Sequence, residues 1–336
     1  MPIQIDSIAY HLPEQVCTNE ELREENPQWD MALVEAQSGV IQRHIASADE
    51  TALDLAYLAC QKLLESNGRA RSDIDAIIFC TQSADHVMPP NACILHDKLD
   101  LPDNVFAFDL NLACSGFIYG LGIAQGLVDS GIAKNVILVN ADTYSKFIHE
   151  KDRATRTLFG DAAAATWIRS ADAGLDIFDI QCATSGRDHE KFIIPAGGSR
   201  IPKSDSTKQI ETDRSGNHRT PEHIHMDGMG VLSFMKTKVP EQILKILSRN
   251  SMTVDDVDLF VFHQASKLAL NSLTRVLKIE PNKTFVNLAN IGNTVSASIP
   301  IALKDGIDSG AIQSGDTLLL SGFGVGLSWG TALLRY

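Results

Sequence analysis

The sequence predicts an α/β protein made of two similar halves. Two observations point there. Short apolar runs rich in β-branched residues alternate with longer stretches of helical period, which predicts βα units and mostly parallel sheets. Three motif pairs also recur at a nearly constant spacing. Asn111-Leu-Ala-Cys114 and Asn290-Ile-Gly-Asn293 lie 179 residues apart, IIFC (77–80) and FVFH (260–263) lie 183 apart, and ILVN (137–140) and LLLS (318–321) lie 181 apart. A chain of 336 residues suits two units of about 150 residues each. We therefore divide it into 1–175 and 176–336.

The elements follow in order. MPIQIDSIAYHLPE (1–14) has no basic or apolar leader pattern and reads as a first strand of the mature protein. ETALDLAYLACQKLLESNG (50–68) is a helix with an acidic start and a stop at Gly68. IDAIIFCT (74–81), NVILVNA (135–141), DLFVFHQ (258–264) and DTLLLSGF (316–323) are buried strands, and LSWGTALLRY (327–336) is a closing strand. VPEQILKILSRNSM (239–252) is a helix, with Pro240 suited to its first turn. The stretch 186–225 breaks the alternation. It is polar and rich in Gly, Pro and Ser, and reads as a long surface excursion of the kind that covers functional sites.

Composition narrows the function. A net charge of −13 disfavours a nucleic-acid binder, which needs a basic face. No apolar run reaches the ~18 residues of a membrane span. The six cysteines (Cys17, Cys60, Cys80, Cys93, Cys114, Cys182) form no CxxC pair. This argues against a zinc ribbon or a disulfide scaffold and fits a reducing cytoplasm.

The stretch DLNLACSGFIYGL (109–121) singles out one of them. Cys114 stands with Ser115 and Gly116 where a strand pattern becomes a helical one. A lone cysteine is more often a small core residue. At a helix start, however, a thiolate meets backbone N–H groups and a partial positive charge, and its pKa is expected to fall. The repeat places Cys114, His263 and Asn293 at related loop ends after strands, where ligands bind in open α/β sheets. Taken alone, His263 could be a core histidine and Asn293 a turn residue beside Gly292. The other five cysteines read as core. HIH (223–225) with His218 and Asp227 offers metal-type ligands, but these lie on a polar loop, and no metal is expected. GFGVG (322–326) is followed by a strand rather than a helix, which speaks against a dinucleotide loop.

LACSGF (112–117), FGDAAAA (159–165), FHQAS (262–266), NIGNTVSASIP (290–300) and GFGVGLSWG (322–330) together resemble the β-ketoacyl-acyl-carrier-protein synthase III family of the thiolase-like superfamily, in order and spacing over nearly the whole chain. The resemblance implies a thiolase-like fold, with two duplicated halves whose sheets sandwich central helices in αβαβα layers. It implies a homodimer acting with acyl carrier protein on acyl-thioester substrates, with no cofactor beyond the coenzyme A or phosphopantetheine that carries the acyl group. It also implies that Cys114 is the nucleophile and that His263 and Asn293 stabilise the enolate formed when malonyl-carrier protein loses carbon dioxide. A backbone donor near Val325, where the family often has Gly, would complete an oxyanion hole. Ser266 replaces the Asn of the family's HQAN loop at the pantetheine arm. Met88 stands where an acyl-pocket residue crosses the dimer.

The family grips the coenzyme A nucleotide with an aromatic residue and an arginine. Here those positions hold Leu33 and Gln37, with Trp29 nearby, while Arg153 keeps another basic contact. These departures, and the length of 186–225, suggest a specialised synthase. Two other readings stand beside it: acyl transfer from Cys114 to an alcohol or amine without decarboxylation, and a non-catalytic partner subunit. The intact Cys/His/Asn set favours condensation.

Overall fold

In the computed structural model, residues 3–170 and 175–336 are described. Nine strands form one hydrogen-bonded sheet: β1 (Ile3–His11), β2 (Ala76–Cys80), β3 (Phe106–Leu110), β4 (Asn135–Asp142), β5 (Ala162–Ser170), β6 (Leu175–Thr184), β7 (Leu259–Phe262), β8 (Thr317–Gly324) and β9 (Ser328–Arg335). Their order is β7-β8-β9-β6-β1-β5-β4-β2-β3. The helices are α1 (Asn19–Glu25), α2 (Met31–Ser38), α3 (Ala52–Asn67), α4 (Asn91–Lys98), α5 (Gly116–Asp129), α6 (Arg153–Arg156), α7 (Gly228–Arg249), α8 (Lys267–Leu277) and α9 (Ser298–Asp308).

One wing reads β3-β2-β4-β5-β1. The other reads β7-β8-β9-β6, and Thr284 forms a parallel bridge to Phe260 of β7. The wings meet where β1 pairs with β6 through Ile3–Ile177. Helices α5 and α9 each pack against strands of both wings and so lie between them, while α3 and α4 cover one outer face and α7 the other. These are the five layers expected of a thiolase-like fold. The apolar character of the central layer explains α5, whose buried face (Phe117, Ile118, Leu121, Ala124) meets strand residues from both wings. The approach is close. A Cβ on Gly120 would lie 2.5 Å from Leu138 of β4.

The sheet is mixed rather than mostly parallel. Only the pairs β2–β3, β2–β4 and β7–β8 are parallel. The reason is connection length. β8 and β9 are joined by three residues, which permits only an antiparallel pair. The helix expected from 239 instead begins at Gly228, because Asp227 caps it by accepting from Gly230 N–H at 2.9 Å. Pro240 therefore sits in its interior. Helix α3 follows the sequence reading closely. Thr51 and Asp54 form a capping box, and Gly68 ends the helix at φ 63°. The stretch 186–225 is not purely superficial. It carries short pairings of 192–193 with 225–226 and of 211–212 with 218–219, and it buries Phe192, Thr207, Asn217, Thr220 and Ile224. Cys60 and Cys80 are core residues as expected, but Cys93 and Cys182 are exposed and Cys17 is half-buried. No helix among the described residues is long and apolar enough to cross a membrane.

Candidate active site

The loops after β3, β7 and β8 and the segment before α9 converge on a cavity of about 740 Å³. Cys114, His263, Asn293, Ala265, Phe323 and Gly324 line its floor. Cys114 precedes α5, where Gly116 N–H donates to Ala113 O at 2.7 Å. A side chain at Gly116 would collide with the Cys80 sulfur, so the turn accepts only glycine. Strand β8 runs directly over this turn. A Cβ on Gly322 would lie 2.5 Å from Cys114 O, and one on Gly324 2.8 Å from Cys114 Sγ. The backbone N–H groups of Cys114 and Val325 both point at the sulfur and favour its anion. Even so, the thiol is pushed up to about 12, first by burial and next by the Asp142 charge. The lowered pKa expected at a helix start does not appear, because desolvation outweighs the local dipoles in the resting site.

His263 ends β7. Its Nδ1 lies 2.6 Å from Ser298 Oγ, and its ring stands edge-on to Phe323 at 5.6 Å between centroids. Burial pushes its pKa down to about 3, so the ring is neutral at ordinary pH. When the Ser298 hydroxyl donates to Nδ1, Nε2 carries the proton and is a donor for the cavity.

Asn293 is held on all sides. Its backbone N–H donates to Leu158 O at 2.9 Å, and its carbonyl accepts from Gly160 N–H at 3.0 Å. This explains the FGD motif. Gly160 must be glycine because a Cβ would strike Ile291 O, and Asp161 accepts from Ala46 N–H and Ser145 N–H, anchoring the segment. The side-chain Oδ1 accepts from Val295 N–H at 3.0 Å, and Nδ2 donates to Ala265 O at 3.3 Å. An amide nitrogen carries two hydrogens, so one remains for a ligand.

Part of the wall is apolar: Val34, Met226, Val231, Leu232 and Met235 line the cavity. Arg153, in α6, lines it, and so does Ser266, which also caps α8 by accepting from Ala269 N–H at 3.2 Å. The excursion supplies a wall of its own through Asp213, Arg214, Ser215, Asn217 and Arg219. Arg219 fixes that wall. It pairs with buried Asp152 at 3.1 Å and with Asp213 at 2.5 Å.

The remaining candidate residues divide in the single chain. Met88 is 80% exposed and is absent from the cavity. Leu33 is exposed and also lies outside the lining, whereas Gln37 is part of it. Trp29 is buried among Leu22 and Met31, so its ring is not free to stack on a base. His218, His223, His225 and Asp227 do not form a metal centre. Asp227 caps α7, His218 Nδ1 meets Thr212 Oγ1, and His223 Nδ1 meets Thr220 Oγ1. Among the described residues no group of three or more His, Cys, Asp or Glu converges on a metal position.

Sequence reasoning missed Ser298 as the partner of His263 and Asp142 beneath Cys114. Ser298 had a signal, lying inside NIGNTVSASIP. Asp142, a carboxylate closing a buried apolar strand, had one too.

Comparison with known proteins agrees with this geometry. Residues 108–186 match the family described as 3-oxoacyl-[acyl-carrier-protein] synthase III, and residues 247–336 match its C-terminal part. The chain is 36% identical over 334 residues to a β-ketoacyl-[acyl-carrier-protein] synthase III of Campylobacter concisus, covering 98% of this chain and 96% of that one. A crystal structure of a 3-oxoacyl-(acyl-carrier-protein) synthase III superposes with a TM-score of 0.97 at 40% identity, each chain covered in full. A 3-oxoacyl-(acyl-carrier protein) synthase from Burkholderia xenovorans gives 0.90 at 31% identity, covering 99% of this chain and 94% of the other. With the motifs, the layered fold and the convergent cysteine, histidine and asparagine all in place, this chain belongs to the 3-oxoacyl-[acyl-carrier-protein] synthase III family.

Proposed function

We propose that this chain is an acyltransferase that performs a decarboxylative condensation, joining an acyl group held on Cys114 to malonyl-acyl carrier protein. The observation that carries this reading is the opening of Cys114, His263 and Asn293, from three separate segments, onto one cavity. The names of the relatives, β-ketoacyl-[acyl-carrier-protein] synthase III, support it.

Cys114 Sγ attacks the carbonyl of an acyl thioester, supplied by coenzyme A or by a carrier's phosphopantetheine. The Cys114 and Val325 N–H groups receive the developing oxyanion. The thiolate of the donor leaves and takes up the proton lost by Cys114. Malonyl-carrier protein then enters. As its carboxylate departs as carbon dioxide, negative charge moves to the thioester oxygen, where His263 Nε2–H and the spare Asn293 N–H stabilise it. Two neutral donors suit this step, since a protonated imidazole would compete for the carbanion. The carbanion attacks the acyl carbon, and Cys114 leaves as the β-ketoacyl product forms.

Arg153 binds phosphate at the mouth, and Ser266 and the wall from 186–225 border the pantetheine arm. No resident cofactor is needed. The enzyme works as a homodimer in which Met88 reaches the partner's acyl pocket, and it resides in the cytoplasm, where its thiols stay reduced. The His263→Ala variant tests the roles. It retains acylation of Cys114 and loses condensation. Condensation at the parental rate would overturn the assignment.

A further inference from the structure

We propose that Asp142 is a positioning residue for the enolate site, holding through Ser296 the turn that fixes the Asn293 carboxamide. This rests on the reading of Asn293 as an enolate donor. Asp142 ends β4 and is fully buried. Its Oδ2 accepts from Ser296 Oγ at 2.5 Å and from Ser296 N–H at 3.3 Å, and its Oδ1 accepts from Gln82 N–H at 2.9 Å and Thr81 Oγ1 at 3.4 Å. All four partners are neutral donors. A buried carboxylate without a cation is costly to keep, so its retention calls for a reason.

The reason lies one residue away. Val295 is fully buried and adopts φ +53°, a conformation that β-branched residues avoid and that persists only when the surroundings impose it. Its N–H is the group that holds Asn293 Oδ1. Asp142 clamps the next residue of the same turn, and so keeps Val295 N–H where it orients the amide. The clamp joins the halves, since β4 belongs to the first and Ser296 to the second. It sits beside the nucleophile without aiding it, because its charge raises the Cys114 thiol.

The titratable groups facing Asp142 are Cys80 from β2, Cys114 before α5 and Tyr144 after β4. Burial pushes the Asp142 carboxyl up to about 7. As pH falls through that value the group takes a proton, one of its accepting positions becomes a donor, and the grip on Ser296 weakens.

The test compares full-length Asp142→Asn, Ser296→Ala and Asn293→Ala variants. Acylation of Cys114 is followed by intact mass, and carbon dioxide release from malonyl-carrier protein is measured on the acylated enzyme from pH 5.5 to 9. Asp142→Asn is expected to slow carbon dioxide release about tenfold or more, and Ser296→Ala several-fold, with acylation unchanged or faster. In the parent, release falls on the acid side of about pH 7, and this limb disappears in Asp142→Asn. Carbon dioxide release at the parental rate in both variants, or release and acylation falling by the same factor, overturns the proposal. Should Asp142→Asn fail to fold, Ser296→Ala decides alone. If Asn293→Ala itself leaves release intact, the enolate reading fails rather than the positioning role.

Discussion

Gly324 offers a sharp test of how closely the site is built. Placing a Cβ there brings it to 2.8 Å from both Cβ and Sγ of Cys114. Ordinary contacts between such atoms lie near ~3.5–4.0 Å, so the overlap is roughly 0.7–1.2 Å. The Cβ of Cys114 is fixed to its backbone, and only the sulfur can swing aside. Either β8 backs away or the thiol turns out of place, and each displaces the Val325 N–H from the sulfur. A misplacement of about 1 Å costs on the order of 100-fold in rate, while overpacking costs about 1–3 kcal/mol of stability. Gly324→Ala should therefore fold and lose about two orders of magnitude in the rate of Cys114 acylation, read by quenched-flow and intact mass. The control is Gly122→Ala in α5, where the nearest neighbour is Ile180 at an ordinary 3.8 Å. It should gain about 0.5–1 kcal/mol from helix propensity and keep parental activity. Acylation of Gly324→Ala within about threefold of the parent would refute the claim that β8 sets the oxyanion site.

Other expectations follow from the same geometry. With its thiol near 12, Cys114 in the resting enzyme should be alkylated by iodoacetamide at a rate rising about tenfold per pH unit up to pH 10; a plateau below pH 9 would contradict the burial argument. Arg219→Ala leaves buried Asp152 without its cation. We expect about 3 kcal/mol lower unfolding free energy in urea and a raised KM for the acyl donor, as the wall from 186–225 loosens. An unchanged midpoint and KM would show that the wall is held by its backbone bonds instead.

Much of the fold was legible because its signals are local. The 50–68 helix carries its cap pair and its terminal glycine in sequence, and each buried strand is a contiguous apolar run. What escaped depends on contacts far apart in the chain. The antiparallel pairing of β1 with β5 and β6 cannot be read from any one strand. The true start of α7 hinged on Asp227, hidden in a stretch whose polar composition reads as loop. Motif and repeat agree on Cys114, His263 and Asn293, and the fold brings these three to one cavity. The pKa of Cys114 was misjudged because the helix start is visible in sequence and the closure of β8 over it is not. The burial of Trp29 against Leu22 and Met31 is likewise a tertiary fact that the sequence does not show.

The measurement that tests the central claim most directly is intact-protein mass after exposure to a panel of acyl-coenzyme A and acyl-carrier thioesters. Malonyl-carrier protein labelled in its free carboxyl carbon is then added. The account predicts an acyl adduct on Cys114 that disappears as labelled carbon dioxide is released and a β-ketoacyl-carrier product forms. An adduct that survives malonyl-carrier protein but is discharged by an alcohol or amine, without carbon dioxide, would contradict it.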